Sequence, residues 1–162
     1  MKNHIIAAVA VAMLLVTIAS ALALVAGPFT REEALAASQD PRFYNELGYM
    51  LAQQEETAAA QDAFERAVEM DSQYVRARSN LATIAFQNAD YTTAIEQLRW
   101  LTSESPDAGY SFDLAQNLVH QARFVDQDLT KLEEAAAIFE SLGDYPNAAE
   151  NARIVRNVLG TV

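Results

Sequence analysis

The hydrophobic positions of this 162-residue chain fall into two regions with different patterns. Residues 5–26 form an unbroken apolar run without a charged side chain, and Gly27 and Pro28 end it. From residue 41 onward, apolar residues recur three or four positions apart with polar residues between them. That spacing places them on one face of each of several α-helices. The sequence therefore predicts an all-α chain with an apolar helix over residues 1–27, a linker over 28–40 and a helical domain over 41–160.

The apolar run has the length of a transmembrane helix. As a helix it would extend about 33 Å, close to the thickness of a bilayer's hydrocarbon core. Lys2 precedes it and Glu32 and Glu33 follow it. The positive-inside rule therefore predicts a single-pass signal anchor in the cytoplasmic membrane, with the N-terminus inside and the domain outside. The alternative is a cleaved secretory signal, since small residues around Ala21 and Ala23 suit a signal peptidase, and the domain would then be secreted or periplasmic.

The linker between the apolar run and the domain is short. Thr30 and Glu33 have the spacing of a capping box, which predicts a brief helix ending near Ser38. We therefore expect the helical domain to lie close to the membrane surface.

Two stretches of the domain repeat each other at a spacing of 34 residues. The first stretch contains Tyr44, Leu47, Gly48, Leu51, Ala60, Phe64, Ala67 and Ser72, and the second contains Arg78, Leu81, Ala82, Ala85, Ala94, Leu98, Leu101 and Pro106. Small or apolar residues match throughout, apart from the replacement of Tyr44 by Arg78. This period and this order of aromatic, Leu, Gly, Ala and Phe positions resemble the tetratricopeptide repeat.

The resemblance implies a right-handed α-solenoid of about three helix pairs plus a C-terminal capping helix. After residue 106 the next repeat stripe arrives seven residues late, which predicts an insertion near residues 124–130, between the two helices of the third pair. A last helix is predicted from about Pro146 to Leu159; alternatively, residues 131–160 form a separate, shortened repeat.

The ends of the predicted helices carry recognisable signals. The dipeptides at 40–41 and 105–106 each place a capping residue before a proline, which predicts that helices begin at Pro41 and Pro106. Asp90 is predicted to cap a further helix that begins at Tyr91.

Charge and composition disfavour several functional classes. Residues 28–162 carry 10 basic and 22 acidic side chains, a formal charge of −12, which disfavours nucleic acid binding. There is no cysteine, and His4 and His120 are the only histidines, so neither a thiolate site nor a histidine pair for a metal is expected. The five glycines do not form a phosphate-binding loop. We expect no catalytic residues, no metal site and no cofactor.

The resemblance also implies where a partner would bind. In this family the polar faces of the first helices of each pair line a concave groove that takes an extended peptide or a helix. The candidate groove residues are Arg42, Asn45, Tyr49, Gln53, Arg76, Ser79, Asn80, Thr83, Gln87, Asp113, Gln116, Asn117 and His120. The matched pair Arg42 and Arg76 favours carboxylates and backbone groups of a partner. The alternative is that these are ordinary solvated helix faces.

Together these features predict a non-catalytic adaptor or scaffold at the outer face of the cytoplasmic membrane, anchored through residues 5–26. Its partner is expected to be a protein or peptide bound in the groove. One alternative is a permanent structural subunit of a membrane or cell-surface complex, and another is a secreted repeat domain released by signal cleavage. An enzyme or ligand-binding domain would need a deep enclosed pocket, which a short open solenoid rarely supplies.

Overall fold

Residues 39–160 are described by a computed structural model of the chain. They form the helices α1 (Pro41–Gln53), α2 (Thr57–Met70), α3 (Val75–Gln87), α4 (Tyr91–Glu104), α5 (Ala108–Gln121), α6 (Leu129–Ser141) and α7 (Ala148–Leu159). No β-strand occurs between residues 39 and 160, so this part of the chain is all-α, as predicted. The apolar helix predicted over residues 1–27 and the brief helix predicted from Thr30 lie outside the described residues.

The seven helices pack in chain order. α1 packs on α2, α3 on α4 and α5 on α6, and α2 contacts α3 and α4 contacts α5 where successive pairs meet. α7 packs on α6 after the third pair. This order agrees with the predicted three helix pairs followed by a C-terminal helix. Within residues 39–160, no helix has the length and hydrophobicity needed to cross a membrane.

Gly48, which has no side chain, lets α1 and α2 approach closely. A Cβ atom at Gly48 would lie only 2.7–2.9 Å from three carbons of the Phe64 ring, which is itself buried. In the second pair, the residues 34 positions on are Ala82 and Leu98, both buried. The second pair therefore accommodates a methyl group where the first has none, because the residue facing it is smaller.

Three predicted helix starts have different outcomes. α1 begins at Pro41, and Asp90 accepts a hydrogen bond from the Thr93 backbone N–H at 3.2 Å, so both predictions are confirmed. The start predicted at Pro106 is wrong, because α5 begins at Ala108. Its N-cap is Asp107, whose carboxylate accepts from the Gly109 N–H at 2.7 Å. An aspartate two residues later thus provides the N-cap that Ser105 was expected to provide.

The insertion predicted near residues 124–130 forms the connection between α5 and α6. α5 continues directly into one turn of π-helix, Ala122–Asp126, and Gln127 ends this turn in the left-handed conformation at φ 55°. Asp128 then caps α6 by accepting from the Thr130 backbone N–H at 3.0 Å. The extra residues therefore lengthen the first helix of the third pair and leave the second helix in place to pack on it.

Candidate partner-binding groove

A cleft of about 280 Å³ lies between α3 and α5, the first helices of the second and third pairs. Its floor is apolar and is formed by Ala82, Phe86, Leu98 and Tyr110. Polar side chains surround the floor, namely Ser79, Thr83, Gln87, Asp113, Gln116 and Asn117. All six are among the residues that the sequence placed in a groove. The structure therefore brings these candidates from two repeats together around one cleft.

Asn117 is the most buried polar residue of the cleft, with 3% of its surface exposed. Its Nδ2 donates to the backbone oxygen of Asp113 at 2.9 Å, which fixes the orientation of the amide. No group of the described residues donates to its Oδ1 atom, which is also buried. The prediction of a solvated face is wrong for this residue, since its amide lies in the wall of the cleft with one acceptor unused.

Asp113 lies one helical turn before Asn117 and is exposed at the rim of the cleft. Partial burial of the carboxyl group raises its pKa above the ordinary value, and the neighbouring charge of Asp107 raises it further. Among the described residues, no cation or hydrogen-bond donor contacts this carboxylate. No Lys, Arg or His lines the cleft. The site therefore presents hydrogen-bond acceptors and negative charge over an apolar floor.

Asn45 and Asn80 have a different environment between α1 and α3. Asn80 Nδ2 donates to Asn45 Oδ1 at 2.8 Å, and Asn45 Nδ2 donates to Glu46 Oε1 at 3.2 Å. Asn45 is 1% exposed, so the alternative of an ordinary solvated helix face is wrong for this residue. The reason is that α1 packs against α3 as well as α2, and Asn45 points at this second neighbour.

The predicted residues of the first repeat do not line the cleft. Tyr49 is exposed on α1, as are Arg42 and Gln53. Arg76, at the start of α3, lies 3.6 Å from Glu46 across the first junction. Arg76, one of the two arginines expected to bind carboxylates in register, therefore already faces an acid of the neighbouring repeat.

His120 lies at the end of α5 in a group of aromatic rings. Its ring stacks on Tyr91 at a centroid distance of 5.5 Å and meets the edge of Phe86 at 5.1 Å. Phe124, from the π-helical turn, lies 5.7 Å away. Burial lowers the pKa of His120, and the charge of Arg123 lowers it further. The structure thus places this candidate beside the cleft wall, in an apolar setting that favours the neutral ring.

The sequence matches the tetratricopeptide repeat family over residues 32–75 and 51–109. Residues 32–109 therefore carry the repeat of this family. No curated protein matches its sequence.

Two solved structures are similar to this chain in fold. One is a thermophilic repeat protein from Thermus thermophilus, with a TM-score of 0.57 and 22% identity; the match covers 75% of this chain and 66% of that protein's length. Another is the ArsTM double mutant of MamA from Desulfovibrio magneticus, with a TM-score of 0.50 and 16% identity over 93% of this chain and 95% of the other. At these identities the likeness concerns the fold alone.

Arg78 is where the second tetratricopeptide repeat departs from the first, since Tyr44 precedes it by one period. Its guanidinium lies over the Trp100 ring, 4.3 Å from the centroid, and its Nε donates to the Ser72 oxygen at 2.8 Å. It also donates to the buried Gln97. An arginine and a tryptophan from the following helix thus fill the space of the aromatic residue, and the repeat spacing alone does not reveal this pairing.

The two aromatic residues of the cleft floor, Phe86 and Tyr110, were not among the candidates from the sequence. Neither is required by the tetratricopeptide spacing, and this excess of aromatic side chains is the signal that could have identified them. Between residues 39 and 160, no three His, Asp or Glu side chains are grouped so that they could hold a metal ion.

Proposed function

We propose that the protein is a non-catalytic adaptor or scaffold that binds a segment of another protein in the cleft between α3 and α5. The observation that carries the proposal is the convergence of Ser79, Thr83, Gln87, Asp113, Gln116 and Asn117 around one apolar floor. Apolar surface with a few placed polar groups is the composition of a recognition site. The cleft is partly open to solvent, which suits a peptide segment better than an enclosed substrate.

Membrane attachment is the second part of the proposal. The uncharged run over residues 5–26 supports a helix held in the cytoplasmic membrane, with the repeat domain on the outer side. Anchoring would concentrate the groove near membrane-bound partners. The alternative is cleavage near Ala21 or Ala23 and release of the domain. Mass measurement of the mature protein separates these alternatives, because cleavage removes the apolar run.

Site-specific photo-crosslinking in whole membranes tests the groove. A photoreactive residue replaces Gln87, which is exposed at the rim of the cleft, and in a control protein it replaces Asp62, which is exposed on α2. We expect a discrete adduct from position 87 that is absent from position 62. Equal adducts from both positions would contradict binding in the cleft.

A permanent structural role is the second candidate, and exposed apolar side chains favour it. Phe124, Val125 and Leu129 are each more than 60% exposed around the π-helical turn, and Ile154 and Val158 are exposed on α7. Exposed apolar groups of this size are frequent at protein interfaces. Sizing in mild detergent distinguishes the two roles, since an adaptor runs as a small species and a permanent subunit self-associates or stays with its complex.

A further inference from the structure

We propose that the cleft between α3 and α5 receives a basic side chain of the partner segment, preferentially an arginine, which donates to Asn117 Oδ1 and to the carboxylate of Asp113. This inference rests on the proposed function and names the chemistry that the groove would recognise. It departs from the carboxylate recognition expected from the matched arginines in the sequence.

Asn117 carries the first step of the argument. A buried amide oxygen without a donor costs free energy unless a partner supplies one. Asn117 is more than nine-tenths buried and lines the cleft, and its Nδ2 is already engaged by the backbone oxygen of Asp113. The group left over is therefore an acceptor without a donor, and because the Oδ1 atom is covered in the free protein, a ligand reaches it only when neighbouring side chains move aside.

Asp113 supplies the second step. Its carboxylate lies at the rim of the same cleft without an ion-pair partner among the described residues, and Asp107 adds negative charge nearby. None of the ten residues that line the cleft is cationic. Two acceptors, one of them charged, favour a donor that is positively charged.

The floor of the cleft supplies the third step. Phe86 and Tyr110 are aromatic, and Ala82 and Leu98 complete an apolar surface beneath the acceptors. A basic side chain has this amphipathic form, with an aliphatic stem and a charged end. Arginine suits the site better than lysine because its planar guanidinium stacks on aromatic rings and donates from several N–H groups at once. The volume of about 280 Å³ also fits a single side chain.

The first junction of the solenoid lacks these properties. The amide oxygen of Asn45 already accepts from Asn80, and Glu46 already faces Arg76. Asn45 Oδ1 and Glu46 therefore already have partners within the protein. The proposal is therefore specific to the junction between the second and third repeats, although the formal charge of −12 over residues 28–162 would attract basic segments to the domain in general.

The experiment uses the ¹⁵N-labelled full chain in zwitterionic detergent and four blocked peptides that differ only in a central Arg, Lys, Gln or Glu. Binding is followed through the side-chain amide signals of Gln87, Gln116 and Asn117. We expect the arginine peptide to bind most tightly and the glutamate peptide most weakly. Asp113→Asn should weaken the arginine peptide about tenfold, as expected for loss of a charge-assisted hydrogen bond, and leave the glutamine peptide nearly unchanged.

Asp62→Asn is the matched control, because it removes the same charge from an exposed position on α2. It should leave the affinity for the arginine peptide unchanged. If it weakens binding as much as Asp113→Asn, only the general acidity of the domain attracts the peptide and the proposal is overturned. Equal affinity of the arginine and glutamine peptides, or no binding of the arginine peptide, overturns it as well.

Failure of this inference is distinguishable from failure of the proposed function. The crosslink from position 87 is repeated with Asp113→Asn and with Thr83→Trp, which places a large side chain in the cleft. Loss of the adduct in both variants supports recognition of a basic side chain. An adduct that survives Asp113→Asn but not Thr83→Trp overturns the basic ligand and leaves the groove standing. An adduct that survives both overturns the groove and the inference with it.

Discussion

The two junctions between successive repeats are built from the same helices but are closed in different ways. At the first junction, α1 and α3 are in direct contact, and Asn45 and Asn80 share a hydrogen bond of 2.8 Å. At the second junction, α3 and α5 contact each other less and a cleft opens between them. Asn117 lies in that cleft with its Oδ1 atom unused. One junction ties two repeats together by a hydrogen bond, and the other leaves Asn117 Oδ1 without a donor among the described residues.

The two junctions differ because the three repeats carry different residues at equivalent positions, namely Glu46, Asn80 and Asp113. Glu46 faces Arg76 across the first junction, and Asn80, 34 residues after Glu46, bonds back to Asn45. Asp113 comes 33 residues after Asn80, which is also the spacing between the starts of α3 and α5. It has no such partner among the described residues. A polar residue on the inner side of a repeat therefore joins two repeats when the preceding repeat supplies its hydrogen-bond partner, and it is left without a partner among the described residues when that partner is missing.

The largest effect is expected from Gly48→Leu, which tests whether the first junction depends on close packing within the first pair. A Cβ at this position would already lie within 3 Å of the Phe64 ring, and that ring is buried. We expect a loss of about 3 kcal/mol in the free energy of unfolding, measured by urea denaturation. The double change Gly48→Ala with Phe64→Leu reproduces the second pair, where Ala82 faces Leu98, and should lose much less. An equal loss would show that the two pairs pack differently.

A direct comparison of the junctions comes from the same substitution at two buried asparagines. Asn45→Leu leaves the amide of Asn80 without its acceptor, so we expect a loss of about 1–3 kcal/mol in unfolding free energy. Asn117→Leu removes an acceptor that has no donor together with one hydrogen bond from Nδ2 to the Asp113 backbone oxygen, so we expect a smaller loss than for Asn45→Leu. Urea denaturation of both variants measures the difference. If Asn117→Leu is the more damaging change, the contrast between the junctions is wrong.

The repeat architecture was predictable from the sequence because each helix has a row of small and apolar residues that packs on the other helix of its pair. Leu47, Gly48 and Leu51 form such a row on α1. The insertion was also predictable, since it changes the spacing between two such stripes. The environment of Asn45 was not. A helix in this fold has a second buried side that faces the next repeat, and a few polar residues there leave no periodic signal. Whether such a polar side chain forms a hydrogen bond depends on the residue that faces it in the neighbouring repeat. The spacing of the repeats does not specify that residue.

A smaller effect is expected from Asp113→Asn, which probes the unpaired charge of the second junction. The pKa of Asp113 is raised in the folded protein, so the folded state holds a proton more tightly than the unfolded chain. The stability contributed by this group is thus present at low pH and is lost as the pH rises through its raised pKa. The variant should therefore unfold at a slightly higher temperature than the wild type at pH 7, and this advantage should vanish towards pH 3. A lower melting temperature at neutral pH would mean that Asp113 has a stabilising partner.

The smallest effect concerns Arg99 and Glu134, which join α4 to α6 on the outer side of the second junction at 2.7 Å. Both side chains are partly exposed, at 51% and 38%, so a double-mutant cycle with Arg99→Gln and Glu134→Gln should give a coupling of only about 0.2–1 kcal/mol, reduced further by salt. The buried pair Asn45 and Asn80 should couple more strongly and show little salt dependence. A weaker coupling at Arg99 and Glu134 would mean that the second junction is stabilised mainly by packing of its apolar residues. Its inner side could then stay open without a hydrogen bond between α3 and α5. Equal couplings would instead make the ion pair the counterpart of the asparagine bond and remove the energetic contrast between the two junctions.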